Sequence, residues 1–438
     1  MRDVRERTLL ERISAGDIPE FVREAASREG VELEELLEDL LAGRAVIPAN
    51  RVVPKRRPCA VGRGLAVKVN ANLGTSPDYP EAAGELEKLK AAVDAGADAV
   101  MDLSTGGDLD RTRELIVRNS PVSVGSVPVY QAAAVARERR GSLVEMTVED
   151  IFRAVEAHCS SGVDFVTVHC GVTRRVLDTL HRNPRVADIV SRGGALHAGW
   201  MLHHDRENPL YEDFDRLLDI AARYEVTLSL GDGLRPGAVA DATDPAQLAE
   251  LQVLGELVRR ARAAGVQCMV EGPGHIPLHQ VEMNVRLAKT LTGGAPFYVL
   301  GPLVTDVAPG YDHIVAAIGG AVAGLAGADF LCYVTPREHL GLPTAEDVRE
   351  GVVVTRIAAH AADLARGRPK AAEWDLQMSQ ARKALDWEKQ LQLALDPQKA
   401  RRFYEERKVE GERACTMCGD FCAMQFIARY LGRPAGTC

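Results

Sequence analysis

The chain has 438 residues, of which 46% are hydrophobic, and its formal net charge is −9. This length allows one large domain with appendages or roughly two to three domains, and the acidic balance argues against a broad nucleic-acid surface, which is normally basic. The charged N-terminus lacks the apolar core of a secretory signal. The longest uncharged apolar run, 314–328, is short for a membrane span and is typical of a buried helix. We therefore expect a soluble, cytoplasmic protein.

The first part of the chain, 1–60, is mostly charged and has the apolar spacing of helices. Beyond it, short apolar runs alternate with amphipathic helical segments. Strict alternation predicts parallel strands joined by crossover helices, and hence an α/β fold with a TIM-type (βα)8 barrel over 61–370. The candidate strands are 66–72, 98–104, 121–128, 164–170, 188–194, 226–233, 267–275, 297–302 and 329–334. A barrel of this type has eight strands, so one of the nine candidates is in excess. We expect it to be 188–194, since this segment follows the preceding strand closely.

The alternation stops near residue 371. The segments 371–395 and 396–412 are each predicted to be one helix, and the motif CTMCGDFC follows at 415–422. We therefore predict an α-helical C-terminal domain, 371–438, that carries a metal-binding loop. The clustered cysteines suit a metal in a reducing compartment, whereas the scattered ones are typical of small buried hydrophobes.

Polar residues follow most of the candidate strands. Asn72, His169, Asp232 and Glu271 each stand at or just after the end of an apolar run. The carboxyl ends of parallel barrel strands form the face that carries active sites, so these residues predict a functional site there. The segments 191–194 and 232–235 add guanidinium groups and glycine amides, which suit a phosphate.

Two histidines are candidate metal ligands. His275 follows a strand within EGPGH, and His339 follows the last strand within TPREHLGLP. Two neutral imidazoles can hold a divalent ion with open positions, although acid–base or structural roles are alternatives. His313 is a third candidate of the same kind.

Five segments, 229–237, 271–275, 295–313, 332–343 and 415–422, resemble the phosphomethylpyrimidine synthase family of thiamine biosynthesis. The likeness runs from about residue 47 to the cysteine motif and is to a short form without the large N-terminal extension. It implies a radical S-adenosylmethionine lyase with a barrel core and an iron–sulfur cluster loop on its tail. The implied reaction converts 5-aminoimidazole ribonucleotide to 4-amino-5-hydroxymethyl-2-methylpyrimidine phosphate, with formate, carbon monoxide, 5′-deoxyadenosine and methionine.

The resemblance also implies the roles of individual residues. Glu271 and His169 would be catalytic, and His275 and His339 would bind divalent zinc or iron. The cluster, a [4Fe–4S] group that binds S-adenosylmethionine, would take Cys415, Cys418 and Cys422, because three thiolates leave one iron open. The substrate contacts would be Asn72, Met101, Tyr130, His169, Ser191, Arg192, Gly193, Asp232, Gly233, Leu234, Arg235, Glu271 and Tyr298. A flavodoxin- or ferredoxin-like electron donor and a homodimer are the implied partners.

Two departures and two alternatives remain. The cysteine spacing, C-x2-C-x3-C, is one residue shorter than in long family members, and Cys170 stands where those members are expected to have alanine. The first alternative is a related enzyme, 5-hydroxybenzimidazole synthase, which acts on the same substrate in anaerobic cobamide biosynthesis. The second is a zinc-stapled binding module in which Cys438 is the fourth ligand.

Overall fold

The computed structural model describes residues 7–53, 56–409 and 414–431 of the chain. The chain divides into two compact units, Met1–Ala362 and Asp363–Cys438. No helix in the described part of the chain is long and apolar enough to cross a membrane. Cys438, the fourth zinc ligand of the second alternative, lies outside the described residues.

The first unit is built on a closed barrel of eight parallel strands. Two short strands, β1 (Ala45–Val46) and β2 (Val61–Gly62), pair antiparallel outside it. The barrel strands are β3 (Lys68–Leu73), β4 (Ala99–Asp102), β5 (Ser123–Ser126), β6 (Phe165–Val168), β7 (Thr227–Leu230), β8 (Cys268–Gly272), β9 (Phe297–Leu300) and β10 (Phe330–Cys332). They follow one another in chain order around the barrel, and β10 closes it on β3. The predicted barrel is confirmed.

Helices flank the barrel and make up most of the described N-terminal and C-terminal regions. Those of the first unit are α1 (Leu9–Ser14), α2 (Glu20–Glu29), α3 (Leu33–Leu41), α4 (Ala82–Asp94), α5 (Leu109–Asn119), α6 (Pro128–Arg140), α7 (Val148–Ser160), α8 (Arg174–Arg182), α9 (Arg192–His204), α10 (Pro209–Glu212), α11 (Phe214–Tyr224), α12 (Pro245–Ala263), α13 (Leu278–Leu291), α14 (Asp312–Ala326) and α15 (Ala345–Ala365), which runs into the second unit. The second unit continues with α16 (Pro369–Ala384), α17 (Trp387–Leu393), α18 (Pro397–Arg407) and α19 (Ala423–Tyr430). Single 3-10 turns lie at Leu143–Glu145, Val239–Asp241 and Gly419–Phe421.

The barrel strands are buried on both faces, as parallel strands covered by helices must be. All four residues of β6 and of β7 are buried, and Phe165 pairs with Thr227 in register. The ring of Phe165 packs edge-on against Phe330, with ring centroids 6.3 Å apart. This burial includes polar strand residues such as Ser229 of β7, whose hydroxyl donates to Glu271.

The segment 188–194 is not a barrel strand, as expected. Ser191 instead caps α9, and its hydroxyl accepts the amide of Gly194 at 3.2 Å. Asp188 adopts a left-handed conformation with φ of 47°, which ends any extended run. Four helices, α8 to α11, lie between β6 and β7, and the start of α9 places Gly193 and Gly194 at a helix N-terminus.

The N-terminal region is helical, as predicted, and has an apolar core of its own. Thr8 and Glu11 form a capping box at the start of α1. Leu9, Val22 and Leu40 are buried in this smaller core. The buried ion pair of Lys68 with Glu29, with Nζ and Oε1 3.0 Å apart, joins it to the first barrel strand.

Two helix predictions need correction. The segment 371–395 is not one helix, because Leu385 turns left-handed with φ of 54° and ends α16, and Asp386 then caps α17 by accepting the amide of Lys389. The apolar run 314–328 does form α14, but it is not fully buried. Its outer face exposes Ile318 and Leu325, about half of each side chain.

Candidate active site

A cavity opens at the carboxyl ends of the barrel strands, where the polar strand ends predicted it. The cavity volume is about 80 Å³. Eight of the thirteen predicted substrate contacts line it: Asn72, Met101, Tyr130, His169, Asp232, Arg235, Glu271 and Tyr298. The parallel register of the strands brings these residues together although they lie up to 226 positions apart in the chain, as Asn72 and Tyr298 do.

Glu271, at the end of β8, is fixed by two hydroxyl groups. Its Oε1 accepts from Thr167 Oγ1 at 2.7 Å and from Ser229 Oγ at 2.6 Å. Burial raises the pKa of the Glu271 carboxyl, and the two hydroxyl donors oppose that shift. A carboxyl group with a raised pKa in a cavity is suited to holding or transferring a proton.

Asp232 and Arg235 form an ion pair at the same cavity wall. Arg235 Nη1 donates to Asp232 Oδ1 at 3.1 Å. Asp232 Oδ2 is buried and has no hydrogen-bond partner among the described residues. Burial raises the pKa of Asp232, Arg235 lowers it, and the nearby Glu271 raises it further. An acceptor without a partner at this position is available to a polar ligand.

His169 lies against the N-terminus of α9. A Cβ atom on Gly193 would stand 2.1 Å from His169 Cε1, so only glycine fits there. Burial lowers the pKa of His169 well below its ordinary value, and nearby His197 and Arg235 add to this. The imidazole is therefore neutral near pH 7. Its Nδ1 is buried and has no partner within the described residues.

A chain of side-chain contacts crosses β9, β3 and β10 and joins Tyr298, Asn70, Asn72 and Cys332. Asn70 Nδ2 donates to the Tyr298 hydroxyl at 2.7 Å and to Asn72 Oδ1 at 2.9 Å. Asn72 Nδ2 then contacts Cys332 Sγ at 3.1 Å. These contacts hold the polar side chains of the cavity floor in one arrangement.

Five predicted contacts do not line the cavity but surround it: Ser191, Arg192, Gly193, Gly233 and Leu234. The Arg192 guanidinium stands 5.0 Å from the centroid of the Tyr130 ring, which does line the cavity. Gly194 and Gly233 approach closely, since a Cβ on Gly194 would lie 2.2 Å from the Gly233 carbonyl oxygen. These residues thus form the support of the cavity wall at the start of α9.

Sequence reasoning missed several residues of the site. Thr167 and Ser229 were not predicted, although Thr167 precedes His169 by two positions and so points to the same face of the strand. Cys332 was expected to be an ordinary buried hydrophobe, yet it lines the cavity. Asn70 lies two positions before Asn72, and the same period-two rule would have identified it.

His275 and His339 lie close together, with ring centroids 5.3 Å apart. Asp306 Oδ1 contacts His275 Nδ1 at 2.7 Å, and Asp312 Oδ2 contacts His339 Nδ1 at 3.4 Å. A carboxylate on Nδ1 is the usual orientation aid for a histidine that binds a metal through Nε2. Within the described ranges, no group of three or more His, Cys, Asp or Glu side chains is arranged to hold a metal ion. The divalent ion stays a prediction.

The three clustered cysteines lie on a short turn ahead of α19. The amides of Cys418 and Gly419 both donate to the Cys415 carbonyl, at 3.2 and 3.0 Å. Cys418 is exposed, whereas Cys422 is buried. Partial desolvation raises the pKa of Cys418, and the neighbouring Cys415 and Cys422 raise it further. Three thiols within eight residues supply the ligand type that iron–sulfur clusters take, and the described turn shows them without a metal arrangement.

Known proteins resemble the chain along nearly its whole length. A phosphomethylpyrimidine synthase of Moorella thermoacetica is 62% identical over 98% of this chain and 100% of its own length. A second, from Desulforamulus reducens, is 59% identical over 97% of this chain and 98% of its own. The structure of a dihydropteroate synthase from Xanthomonas albilineans aligns with 74% of this chain and 100% of its own at 13% identity, but its TM-score of 0.43 is too low to bear on activity.

The cavity and the cysteine turn both fall within one family match. The profile of the Radical SAM ThiC family matches residues 8–429, which include every predicted substrate contact and all three cysteines of the turn. Membership implies a [4Fe–4S] cluster and S-adenosylmethionine as cofactors. The chain belongs to the Radical SAM ThiC family.

Proposed function

We propose that this chain converts 5-aminoimidazole ribonucleotide to 4-amino-5-hydroxymethyl-2-methylpyrimidine phosphate, the lyase reaction of thiamine biosynthesis. The single observation that carries the proposal is the family match over residues 8–429. The two relatives above, at 62% and 59% identity, bear the name of this activity, which favours it over 5-hydroxybenzimidazole synthesis. A binding module held together by zinc would not explain the polar side chains of the cavity.

The phosphate of the substrate binds at the start of α9. Arg192 and Gly193 occupy the first turn of this 13-residue helix, whose free amide groups and dipole favour an anion. Gly193 lets a ligand and the His169 ring approach the backbone closely. Arg235 supplies a second cation, which Asp232 orients at 3.1 Å. Ser191 contributes indirectly, because it caps the helix.

The base and ribose of the substrate bind deeper in the cavity. Glu271 is fixed through one carboxylate oxygen by Thr167 and Ser229, so its other oxygen can hydrogen-bond the aminoimidazole. Neutral His169 can accept or donate a hydrogen bond to the ribose. Tyr130 and Tyr298 wall the pocket and exclude water, which protects reactive species formed there. Asn72 and Met101 complete the floor.

Cys415, Cys418 and Cys422 would hold the [4Fe–4S] cluster. The three thiols suit it by their chemistry, since iron–sulfur clusters are held by cysteine thiolates and three of them leave one iron without a protein ligand. When bound, the cluster supplies one-electron radical chemistry with S-adenosylmethionine. The one-residue-shorter spacing changes the loop but leaves the number of thiolate ligands unchanged.

Further elements of the proposal concern partners and the second metal. His275 and His339 bind one divalent zinc or iron ion through the nitrogens that face away from Asp306 and Asp312. A flavodoxin- or ferredoxin-like protein donates electrons, and the protein acts in the cytoplasm as a homodimer. The exposed apolar face of α14, with Ile318 and Leu325, is consistent with burial against a second copy.

An anaerobic incubation tests the reaction. Reconstituted protein is mixed with 5-aminoimidazole ribonucleotide, S-adenosylmethionine and a low-potential reductant, and the products are measured by mass spectrometry. Phosphorylated hydroxymethylpyrimidine together with 5′-deoxyadenosine is the expected result. Hydroxybenzimidazole would assign the related activity instead. If a cluster-replete sample leaves the ribonucleotide unconsumed while the Moorella thermoacetica relative consumes it, the proposal is wrong.

A further inference from the structure

The 232–235 loop is held from behind by three side chains that the sequence did not single out. Arg185 follows α8, Asp244 caps the start of α12, and Glu250 lies on the second turn of α12. None of the three is among the residues that line the substrate cavity in the described structure. Arg185 and Glu250 contact the main chain of the loop, and Asp244 contacts Arg185. The loop side chains Asp232 and Arg235 do line the cavity.

Glu250 accepts a hydrogen bond from a main-chain amide of the loop. It is 2% exposed, and its Oε2 accepts the N–H of Leu234 at 2.8 Å. Its Oε1 would stand 3.1 Å from a Cβ on Gly233, so the carboxyl lies directly beneath the loop backbone. On the other side, Gly171 admits the Glu250 side chain, since a Cβ there would lie 2.8 Å from Glu250 Cγ.

Arg185 donates hydrogen bonds to main-chain carbonyls of the loop. Its Nη2 donates to the Leu234 carbonyl at 2.7 Å, and its Nη1 donates to the Arg235 carbonyl at 3.4 Å. Asp244 holds the guanidinium in place, because its two oxygens accept from Arg185 Nε at 2.8 Å and Nη2 at 2.6 Å. The Arg185 side chain is 1% exposed, so this bidentate pair is shielded from water.

We propose that Arg185, Asp244 and Glu250 are positioning residues for substrate binding. Together they fix the N–H and C=O groups of Leu234 and the C=O of Arg235, so that the loop presents its charged side chains to the cavity in one geometry. This inference rests on the proposed function, since it assigns these residues to the ribonucleotide site. A misplacement of about 1 Å in a group that positions the substrate can lower the reaction rate by on the order of 100-fold.

The state of Glu250 determines the appropriate replacement. Burial raises the pKa of Glu250 to about 8, and the Asp232 carboxylate adds to the shift, while the Leu234 amide and the Arg185 charge oppose it. The side chain is therefore mostly a neutral carboxylic acid near pH 7. Glutamine has the same shape and charge in that state, and it keeps an oxygen that accepts the Leu234 amide.

The test measures the dissociation constant of 5-aminoimidazole ribonucleotide by calorimetry on the reconstituted holoenzyme without S-adenosylmethionine. Glu250→Ala is expected to weaken binding by about 10- to 100-fold. Glu250→Gln is expected to stay within about threefold of the wild type. Arg185→Lys keeps the charge but loses the fork that contacts two carbonyls, and it is expected to weaken binding by about tenfold.

Asp164→Ala is the matched control. Asp164 is also a buried carboxyl that accepts a main-chain amide, from Val124 at 2.8 Å, and pairs with an arginine, Arg56, but it precedes β6 at the opposite end of the barrel. It is expected to lower the melting temperature without changing substrate affinity. If Glu250→Ala and Arg185→Lys bind the substrate as the wild type does, or if Asp164→Ala weakens binding equally, the positioning role is wrong. If the wild type itself does not bind the ribonucleotide, the proposed function fails first, and this inference with it.

Discussion

The barrel cavity and the cysteine turn differ in how much of each the polypeptide builds by itself. In the cavity, Glu271 is held by two hydroxyl donors at 2.6–2.7 Å, and buried side chains hold the loop around Asp232. In the cysteine turn, Met417 and Phe421 are 91% and 93% exposed. The main-chain amide of Cys418 donates its hydrogen bond to the carbonyl of Cys415, only three residues earlier. The fold thus holds the side chains of the substrate pocket by buried contacts, whereas the described contacts of the turn are short-range and largely exposed.

The largest effect is expected at the cysteine turn. Cys415→Ala, Cys418→Ala and Cys422→Ala should each abolish turnover, because the cluster loses one of its three thiolates. Anaerobic absorbance spectra should lose the charge-transfer bands of the cluster, and iron and sulfide analysis should agree. Cys438→Ala is the control and should retain both turnover and the absorbance of the cluster. Loss of the cluster in Cys438→Ala would indicate a site with four cysteines and would undo this side of the comparison.

The next largest effect is expected in the cavity. Arg235→Ala removes a charged donor from the proposed phosphate site and leaves Asp232 unpaired, so kcat/KM should fall about 100-fold, or roughly 3 kcal/mol. The cluster absorbance should be unchanged. Arg235→Lys keeps the charge without the planar fork and should lie between the two. An Arg235→Ala enzyme with wild-type kcat/KM would show that this side chain does not bind substrate.

A smaller effect is expected at the histidine pair. His275→Ala and His339→Ala should each lose one bound divalent ion per chain, measured by equilibrium dialysis with zinc. Asp306→Asn should weaken that binding by about 10- to 100-fold, because the carboxylate orients the ring of His275. His203→Ala, at an exposed histidine beside Glu145, is the control and should not alter it. Equal zinc binding in all four variants would place the ion elsewhere.

The last effect is on stability rather than on activity, and it depends on pH. The pKa of Glu250 rises from 4.5 to about 8 on folding, so the folded state holds this proton more tightly than the unfolded state. Its contribution to stability is full below pH 4.5 and is lost as the pH rises towards 8, with a slope of up to about 1.4 kcal/mol per pH unit. Chemical denaturation of the wild type between pH 5.5 and 7.5 should show this fall, relative to Glu250→Gln, at about that slope. Parallel curves for the two proteins would contradict it.

The strands were predictable because each carries a short set of buried apolar residues, although polar residues such as Asn70 in β3 and Ser229 in β7 interrupt some of them. Polar residues such as Asn72 and Glu271 then marked where each run ends, and the barrel topology alone brings such ends together. The break at Leu385 was harder to predict, since leucine rarely adopts a left-handed conformation and the segment has no glycine or proline there; Asp386, which caps α17, was the one signal of a new helix start.

The support of the site was harder to predict than its lining. Arg185 and the carbonyl of Leu234 are 49 positions apart, and their contact arises only because α8 and α12 pack together. Glu250 lies within an amphipathic helix, where a glutamate ordinarily faces solvent. Its burial depends on Gly171 and Gly233 leaving room for it, and no spacing rule links these three positions.

The most direct test of the comparison is the affinity of the substrate for protein without a cluster. A variant with Cys415→Ala, Cys418→Ala and Cys422→Ala is titrated with 5-aminoimidazole ribonucleotide in a calorimeter, beside the wild type and Arg235→Ala. If the barrel builds the pocket alone, the triple variant binds within about threefold of the wild type, while Arg235→Ala loses about tenfold or more. A triple variant that no longer binds the ribonucleotide would contradict the claim that the cavity is preorganised without the cysteine turn.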